Sequence, residues 1–338
     1  MTKGNKDKGN GKIVSKVFFD KEDWKKEWMH SKQIAKVDPS GKHLLLPVSS
    51  CKTTLDKVET HPSAFECDGL QYYDPRHSKL LYQINMPFGG TSLYDFVRSL
   101  IMQQGHLMSC KDILELMGPI IHSLVLMDKR QTCHQDIKTS NILVTPQGKT
   151  ILIDYSLMMK YKDIFTFKNR KRLRYTYFPY PPEYKIAHVL LHDEKCTPCD
   201  VVQECMNNIF QYGQDRGQAY MEYVPEREIR ASVMKRFDDL KIYKDLTLSH
   251  HMKPFANRAD VYGVGMCFID LNKYINIGSL TKKKKLAWTT WIRGMIHPDV
   301  EQRFTPSEAV FEYQQLQKLF CDGSSGSLCN GMKKKKSI

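Results

Sequence analysis

The stretch Cys133-His134-Gln135-Asp136-Ile137-Lys138-Thr139-Ser140-Asn141-Ile142-Leu143-Val144, followed by Ile151-Leu152-Ile153-Asp154-Tyr155-Ser156, carries the reading of the whole chain. Asp136 stands two residues before Lys138 and five before Asn141, and Asp154 lies thirteen beyond Asn141 behind an apolar triplet. That spacing suits phosphoryl transfer. One carboxylate orients a hydroxyl, the neighbouring Lys neutralises the moving phosphoryl group, and an amide oxygen with a second carboxylate holds Mg²⁺ on the nucleotide phosphates. The apolar runs Ile142-Leu143-Val144 and Ile151-Leu152-Ile153, joined by Thr145-Pro146-Gln147-Gly148-Lys149, predict a short hairpin with Pro and Gly in its turn. Such a hairpin returns Asp154 to within reach of Asn141.

These residues resemble the signature of the eukaryotic-type Ser/Thr protein kinases, a His-Arg-Asp loop ending in Asn and an Asp-Phe-Gly metal motif, in a divergent form. Gln135 stands where the family has Arg, and Tyr155-Ser156 where it has Phe-Gly. The resemblance implies an α+β, two-lobed protein kinase-like fold with a small β-rich lobe over about 13–90 and a mostly helical large lobe over about 91–320. It implies ATP in the cleft, Mg²⁺ on Asn141 and Asp154, Asp136 as the residue that orients or deprotonates the acceptor hydroxyl, and Lys138 on the γ-phosphate. The implied reaction is transfer of the γ-phosphate of Mg-ATP to Ser or Thr of a protein substrate.

Working outward, Ile13-Val14-Ser15-Lys16-Val17-Phe18-Phe19 predicts a strand with one Lys among apolar residues, and Asp20 to Val37 a helix closed by Asp38-Pro39. By the resemblance Lys16 holds the α- and β-phosphates and is itself held by Glu27, with Glu22 as the fallback partner. Gly4, Gly9 and Gly11 lie too close to Lys16 to form the family's Gly-rich loop. Either coding begins upstream of Met1 or the phosphate lid is dispensed with, the first being preferred. Leu44 to Val48 and Lys79 to Ile84 predict further strands. Ile84 to Leu93 resembles the hinge that frames adenine, with Met86 and Phe88 on it, and helices are predicted over Leu93–Met102 and Asp112–Lys129.

Past Asp154, Pro181-Pro182-Glu183 resembles the Ala-Pro-Glu that closes the activation segment, and Thr176 falls where Ser/Thr-specific members place a Thr on the catalytic Asp and Lys. Asp260 in Asp260-Val261-Tyr262-Gly263 resembles the brace of the catalytic loop, and Arg303 the buried partner of Glu183. Between Glu183 and Asp260 there is far more chain than the family core requires, so part of 188–254 is an insertion with helices of its own. That insertion and the Asp-Pro ending of the first helix resemble kinases of large DNA viruses.

Composition bounds the alternatives. A chain of 338 residues with 41% hydrophobic content buries a full core. A net charge of +14 favours acidic partners, whether acidic proteins, nucleic acid or anionic lipid, without choosing among them. Lys168–Arg174 reads as a solvated loop or as a docking surface for acidic or already phosphorylated substrates, and Lys282–Lys285 and Lys333–Lys336 as solvated faces or as basic segments that bind nucleic acid or an anionic surface. No apolar run approaches a membrane span and no signal peptide opens the chain, which points to an intracellular protein, cytoplasmic or nuclear, or carried in a virion if viral. Residues 1–12 and 321–338 read as disordered by composition. The ten Cys form no framework and read as reduced thiols. His188, His192, Cys196 and Cys199 have spacings compatible with a Zn²⁺ site, weighed against a plain helix face. His134 reads as a scaffold residue, and Trp24, Trp28, Trp288 and Trp291 as packing residues.

The competing reading is a pseudokinase that binds without turnover. A small-molecule kinase fits less well, because Thr176 and Pro181-Pro182-Glu183 organise a platform for protein substrates. Gln135 carries no charge with which to clamp a phosphorylated segment, so activity independent of activation-segment phosphorylation is expected.

Overall fold

The computed structural model describes residues 13–59, 80–172, 176–177, 179–192, 195–210, 214–243 and 246–321. Both termini taken as disordered, most of the polar stretch before Ser78, Leu173-Arg174 of the basic run and Lys333–Lys336 lie outside them. Small antiparallel sheets and many helices make this an α+β chain. It divides into two compact units, one up to Gly90 and one from Thr91. Among the described residues no helix is long and apolar enough to cross a membrane.

In the first unit, strands β1 (Ile13–Phe18), β2 (Ser49–Thr54) and β3 (Leu80–Pro87) form a sheet in the order β1-β3-β2, both pairs antiparallel. Helix α1 (Lys21–Val37) starts where the Asp20 carboxylate accepts the amides of Glu22 and Asp23. Its inward stripe is Glu27, Ser31, Ile34 and Val37. Phe18, Tyr82 and Ile84 form the core of the sheet face, with Trp24, Trp28 and Met86 packed on it. Trp24 stacks on Tyr82 and donates its indole N–H to Ser50. A short helix α2 (Leu55–Glu59) follows β2.

The strand expected over Leu44–Val48 is not there; the strand is the polar Ser49–Thr54. Hydrogen bonding gives the reason. The amides of His43 and Leu44 donate to Asp38, and Pro47 has no N–H to offer a ladder. Leu44 and Leu45 are buried as a packed loop instead.

The second unit opens with β4 (Thr91–Ser92), whose Ser92 caps α3 (Leu93–Gln104). Helix α4 (Cys110–Lys129) is capped by Ser109 and buries one face from Cys110 to Met127. Strands β6 (Ile142–Val144) and β7 (Thr150–Leu152) pair with Ile142 opposite Leu152, the hairpin expected from the two apolar runs, and β4 joins it at Thr91 and Ser92. Strands β5 (Thr132–Cys133) and β8 (Met159–Lys160) make a second small sheet, and α5 (Tyr161–Ile164) follows.

Helix α6 (Pro182–His192) is almost wholly buried. The segment read as an insertion carries α7 (Pro198–Phe210), α8 (Gln214–Tyr223), α9 (Glu226–Leu240) and α10 (Leu246–Met252). Helix α11 (Arg258–Leu271) is buried along most of its length. It packs with α12 (Lys282–Ile296) and α13 (Pro306–Cys321) through Phe268, Trp288, Trp291 and Tyr313. Trp288 and Trp291 are core residues, as their sequence context suggested.

Candidate active site

In the first unit, Lys16 on β1 donates to both carboxylate oxygens of Glu27 on α1, at 2.8 and 2.7 Å. Glu27 is buried because it continues the apolar stripe of α1, and its partner keeps that burial from stranding a charge. Glu22, the alternative partner, faces solvent and pairs with Lys25, whose hydrogen bond and charge hold the Glu22 carboxyl below its usual range. Met86 pairs across the sheet with Val14 and packs on the Phe18–Tyr82–Ile84 cluster, whereas Phe88 is exposed.

In the second unit the loop after β5 hangs on one carboxylate. Asp260, buried in the first turn of α11, accepts the His134 amide at 2.7 Å and the Gln135 amide at 2.8 Å. Burial pushes its carboxyl above the usual range, against the pull of His134 and those two amides. One turn along α11, Gly263 lets the helix come close: a Cβ there would lie 2.9 Å from the Ile137 carbonyl oxygen.

His134 is a strut. Its Nδ1 accepts the Asp136 amide at 3.2 Å and its Nε2 lies 3.1 Å from the carbonyl of Ile153, which it meets as donor in the tautomer that leaves Nδ1 an acceptor. One imidazole thus ties the Asp136 loop to the residue before Asp154. Gln135 adopts the left-handed region, with φ of 66°, and its side-chain amide donates to the Leu157 carbonyl at 2.6 Å. Where the resemblance suggested only a missing positive charge, the Gln is a neutral tie between the loop and the segment after Asp154.

Asp136 is buried, and Lys138 Nζ lies 3.0 Å from its Oδ1 and 3.2 Å from its Oδ2. Asn141 ends the 3-10 turn Thr139–Asn141 and donates Nδ2 to the Asp136 carbonyl at 2.9 Å. That bond fixes the amide so that its Oδ1 is turned elsewhere as an acceptor. The hairpin then brings the chain back: the Ile153 amide donates to the Asn141 carbonyl at 2.9 Å. The next residue, Asp154, has a left-handed backbone with φ of 63° and accepts the Ser156 amide. Two non-glycine residues at positive φ in one loop system are the kind of local strain that collects at functional sites.

Thr176 does not reach this pair; it is exposed. Its neighbour Tyr177 takes the place instead, donating its hydroxyl to Asp136 Oδ1 and accepting from Lys138 Nζ at 3.3 Å. Burial and the bond to Asp136 raise the phenol above its usual range. Thr176 is exposed in a turn while Tyr177 is half-buried, and it is the tyrosine that faces Asp136. Farther back, Arg303 meets Glu183 through two bonds of 2.6 and 3.0 Å, and both are fully buried.

A cavity of about 610 Å³ opens beside Lys138, Thr139 and Ser140 and is bordered by Tyr94, Asp270 and Lys273. Arg216 of α8 crosses it to pair with Asp270 at the end of α11. The segment read as an insertion therefore contributes a wall next to Lys138 and Thr139, a feature no motif announced.

The donor set of Asn141 and Asp154, one amide oxygen and one carboxylate, fits Mg²⁺, which takes few protein ligands and completes its shell with phosphate oxygens and water. The zinc reading fails. Among the described residues no group of three or more His, Cys, Asp or Glu is placed to hold a metal. The His188 and His192 rings lie against each other at 4.1 Å, His192 Nδ1 is bonded to the His188 carbonyl, and Cys199 is exposed.

No family model matches this chain, and no curated protein matches it as a relative.

Proposed function

We propose that the chain is a divergent Ser/Thr protein kinase with a two-lobed protein kinase-like fold, transferring the γ-phosphate of Mg-ATP to protein hydroxyls. The observation that carries this reading is the Asp136–Lys138 pair with Asn141 tied to the Asp136 carbonyl. These groups supply, close together, the kinds of side chain that phosphoryl transfer calls for: a proton acceptor, a cation and a metal ligand. An ordinary polar loop has no reason to bury a carboxylate and orient an amide around it.

In the proposed reaction the acceptor oxygen attacks the γ-phosphorus, the bond to the β–γ bridging oxygen breaks, and ADP departs. Asp136 orients the hydroxyl and takes its proton. Lys138 neutralises charge on the transferred group, and Lys16, steadied by Glu27, holds the α- and β-phosphates. Mg²⁺, when bound by Asn141 and Asp154, offsets phosphate charge. Exposed Lys168 and Lys171 give the stretch after Asp154 a preference for acidic substrates.

The test is transfer of labelled γ-phosphate to casein, an acidic substrate, by the wild-type chain and by Asp154→Asn. Transfer by the wild type and a loss of at least about 100-fold in the variant is expected, since a metal ligand is removed. ATP binding without transfer in the wild type would replace this reading with a pseudokinase. Because Gln135 is a neutral tie to Leu157, phosphatase treatment of the purified chain is expected to leave its rate unchanged within about twofold; abolished activity would show that a phosphorylated segment is needed.

A further inference from the structure

The residue that touches the Asp136–Lys138 pair, Tyr177, is itself held by a buried cation. Lys185, on α6, is 2% exposed, and its Nζ donates to the Tyr177 carbonyl at 3.1 Å. The insertion helices are what bury it. An enclosed gap of about 10 Å³ around Lys185 is lined by Cys205 and Asn208 of α7, Tyr220 of α8, Ile229 of α9, and Tyr262 of α11. Taking an ammonium out of water costs several kcal/mol in real proteins, and a Met would fill the same space without that cost. A lysine here therefore serves something besides packing, and its ammonium donates to the backbone of Tyr177.

We propose that Lys185 and Tyr177 form a positioning relay for catalysis, in which the Lys185 ammonium fixes the Tyr177 backbone and the Tyr177 phenol holds Asp136 Oδ1, so that Oδ2 receives the acceptor's proton. The relay rests on the kinase reading above and gives the insertion a role in it: α7, α8 and α9 enclose the cation at its base. Thr176, exposed beside Tyr177, has no part in it.

The charge of Lys185 is sensitive to pH. Burial, against the pull of Cys205 and Glu204 of α7, brings its amine down to about 8. The other titratable groups packed around it are Tyr177 and Tyr180 ahead of α6, Tyr220 on α8 and Tyr262 on α11, while α9 presents the apolar Ile229. Burial raises Tyr220 and Tyr262, so neither phenol supplies an anion at neutral pH. Glu183, on the same helix, is engaged by Arg303. As pH rises through about 8 the ammonium becomes a neutral amine and its hold on the Tyr177 carbonyl weakens.

The experiment measures kcat and both KM values for transfer to casein between about pH 6.5 and 9.5, in the wild type, Tyr177→Phe and Lys185→Met, with unfolding by urea as a check on folding. Tyr177→Phe keeps the ring and removes only the hydroxyl. Its kcat is expected to fall roughly 10- to 100-fold with KM for ATP within about twofold. The wild-type kcat should decline above about pH 8, and that decline should vanish in both variants, whose relay is already cut. A Tyr177→Phe enzyme with wild-type kcat, or one that keeps the same alkaline decline, would overturn the relay while leaving the kinase reading intact. A wild-type chain that transfers no phosphate at any pH would overturn the kinase reading first, and the relay with it.

Discussion

Replacing Glu183 with Gln is expected to lower the unfolding free energy by about 3–5 kcal/mol, the range for breaking one side of a buried ion pair. Arg303 is 1% exposed and Glu183 equally buried, so neither charge can turn to water when its partner is lost. The guanidinium is placed by more than Glu183. Its Nε donates to the His297 carbonyl at 2.9 Å, and it lies over the Tyr262 ring with 4.9 Å to the centroid. Burial works against the Arg303 charge, but Glu183 and the surrounding phenol oxygens outweigh it and raise the group above its usual range. In the Gln variant that support disappears while the burial stays. Urea unfolding should show a lower midpoint at unchanged slope. The double variant Glu183→Met with Arg303→Met should lie closer to wild type than either single change, because the loss comes from an orphaned charge rather than from missing contacts. A Glu183→Gln loss below about 1 kcal/mol would mean that the charge finds compensation elsewhere.

Parts of this arrangement were legible because they depend on local rules. The apolar runs on either side of Pro146 and Gly148 dictate a hairpin, and a hairpin fixes where Asp154 returns. The Lys16–Glu27 pair was what the resemblance implied, with Glu22 as the fallback, and the burial of Glu27 on the inward stripe of α1 decides between the two. What was not legible depends on partners distant in the chain. Leu44–Val48 has strand composition, yet its first amide, with that of His43 just before it, was already claimed by Asp38, Pro47 has no N–H, and the polar Ser49–Thr54 became the strand because β3 lay beside it. Thr176 and Tyr177 are equivalent by pattern, and only the direction of the segment selects the tyrosine. Lys185 sits among Tyr184, Ile186 and Ala187, all buried, and a lysine inside a buried run was the one available signal. The Cys196 and Cys199 spacing misled because helix α7 begins at Pro198 and turns the second thiol outward.

The second large effect expected is at Asp260. Asp260→Ala should cost roughly 3–5 kcal/mol, since two buried backbone amides, those of His134 and Gln135, each lose an acceptor worth about 1–3 kcal/mol. One carboxylate serves both, Oδ2 for His134 and Oδ1 for Gln135, so a single substitution removes both acceptors. Gln135 adds to the consequence. Its left-handed backbone, φ 66°, is held on one side by Asp260 and on the other by the Leu157 carbonyl, and loosening the first lets that strain relax. Asp260→Asn keeps one acceptor oxygen but turns an NH₂ toward the second amide, so it should fold with a smaller loss, about 1–3 kcal/mol. Amide hydrogen exchange reads this directly: His134 and Gln135 should lose protection in the Asn variant while amides inside α4 keep theirs. Asp136 lies one residue beyond Gln135, so the same change displaces the carboxylate proposed as catalytic through its backbone. Tyr177→Phe, by contrast, acts on the Asp136 side chain alone and should leave the exchange of the His134 and Gln135 amides as it is in wild type. If both variants lower kcat but only Asp260→Asn speeds that exchange, the backbone brace and the phenol are separate supports of one carboxylate. If Asp260→Asn leaves the exchange unchanged, Asp260 does not hold the loop.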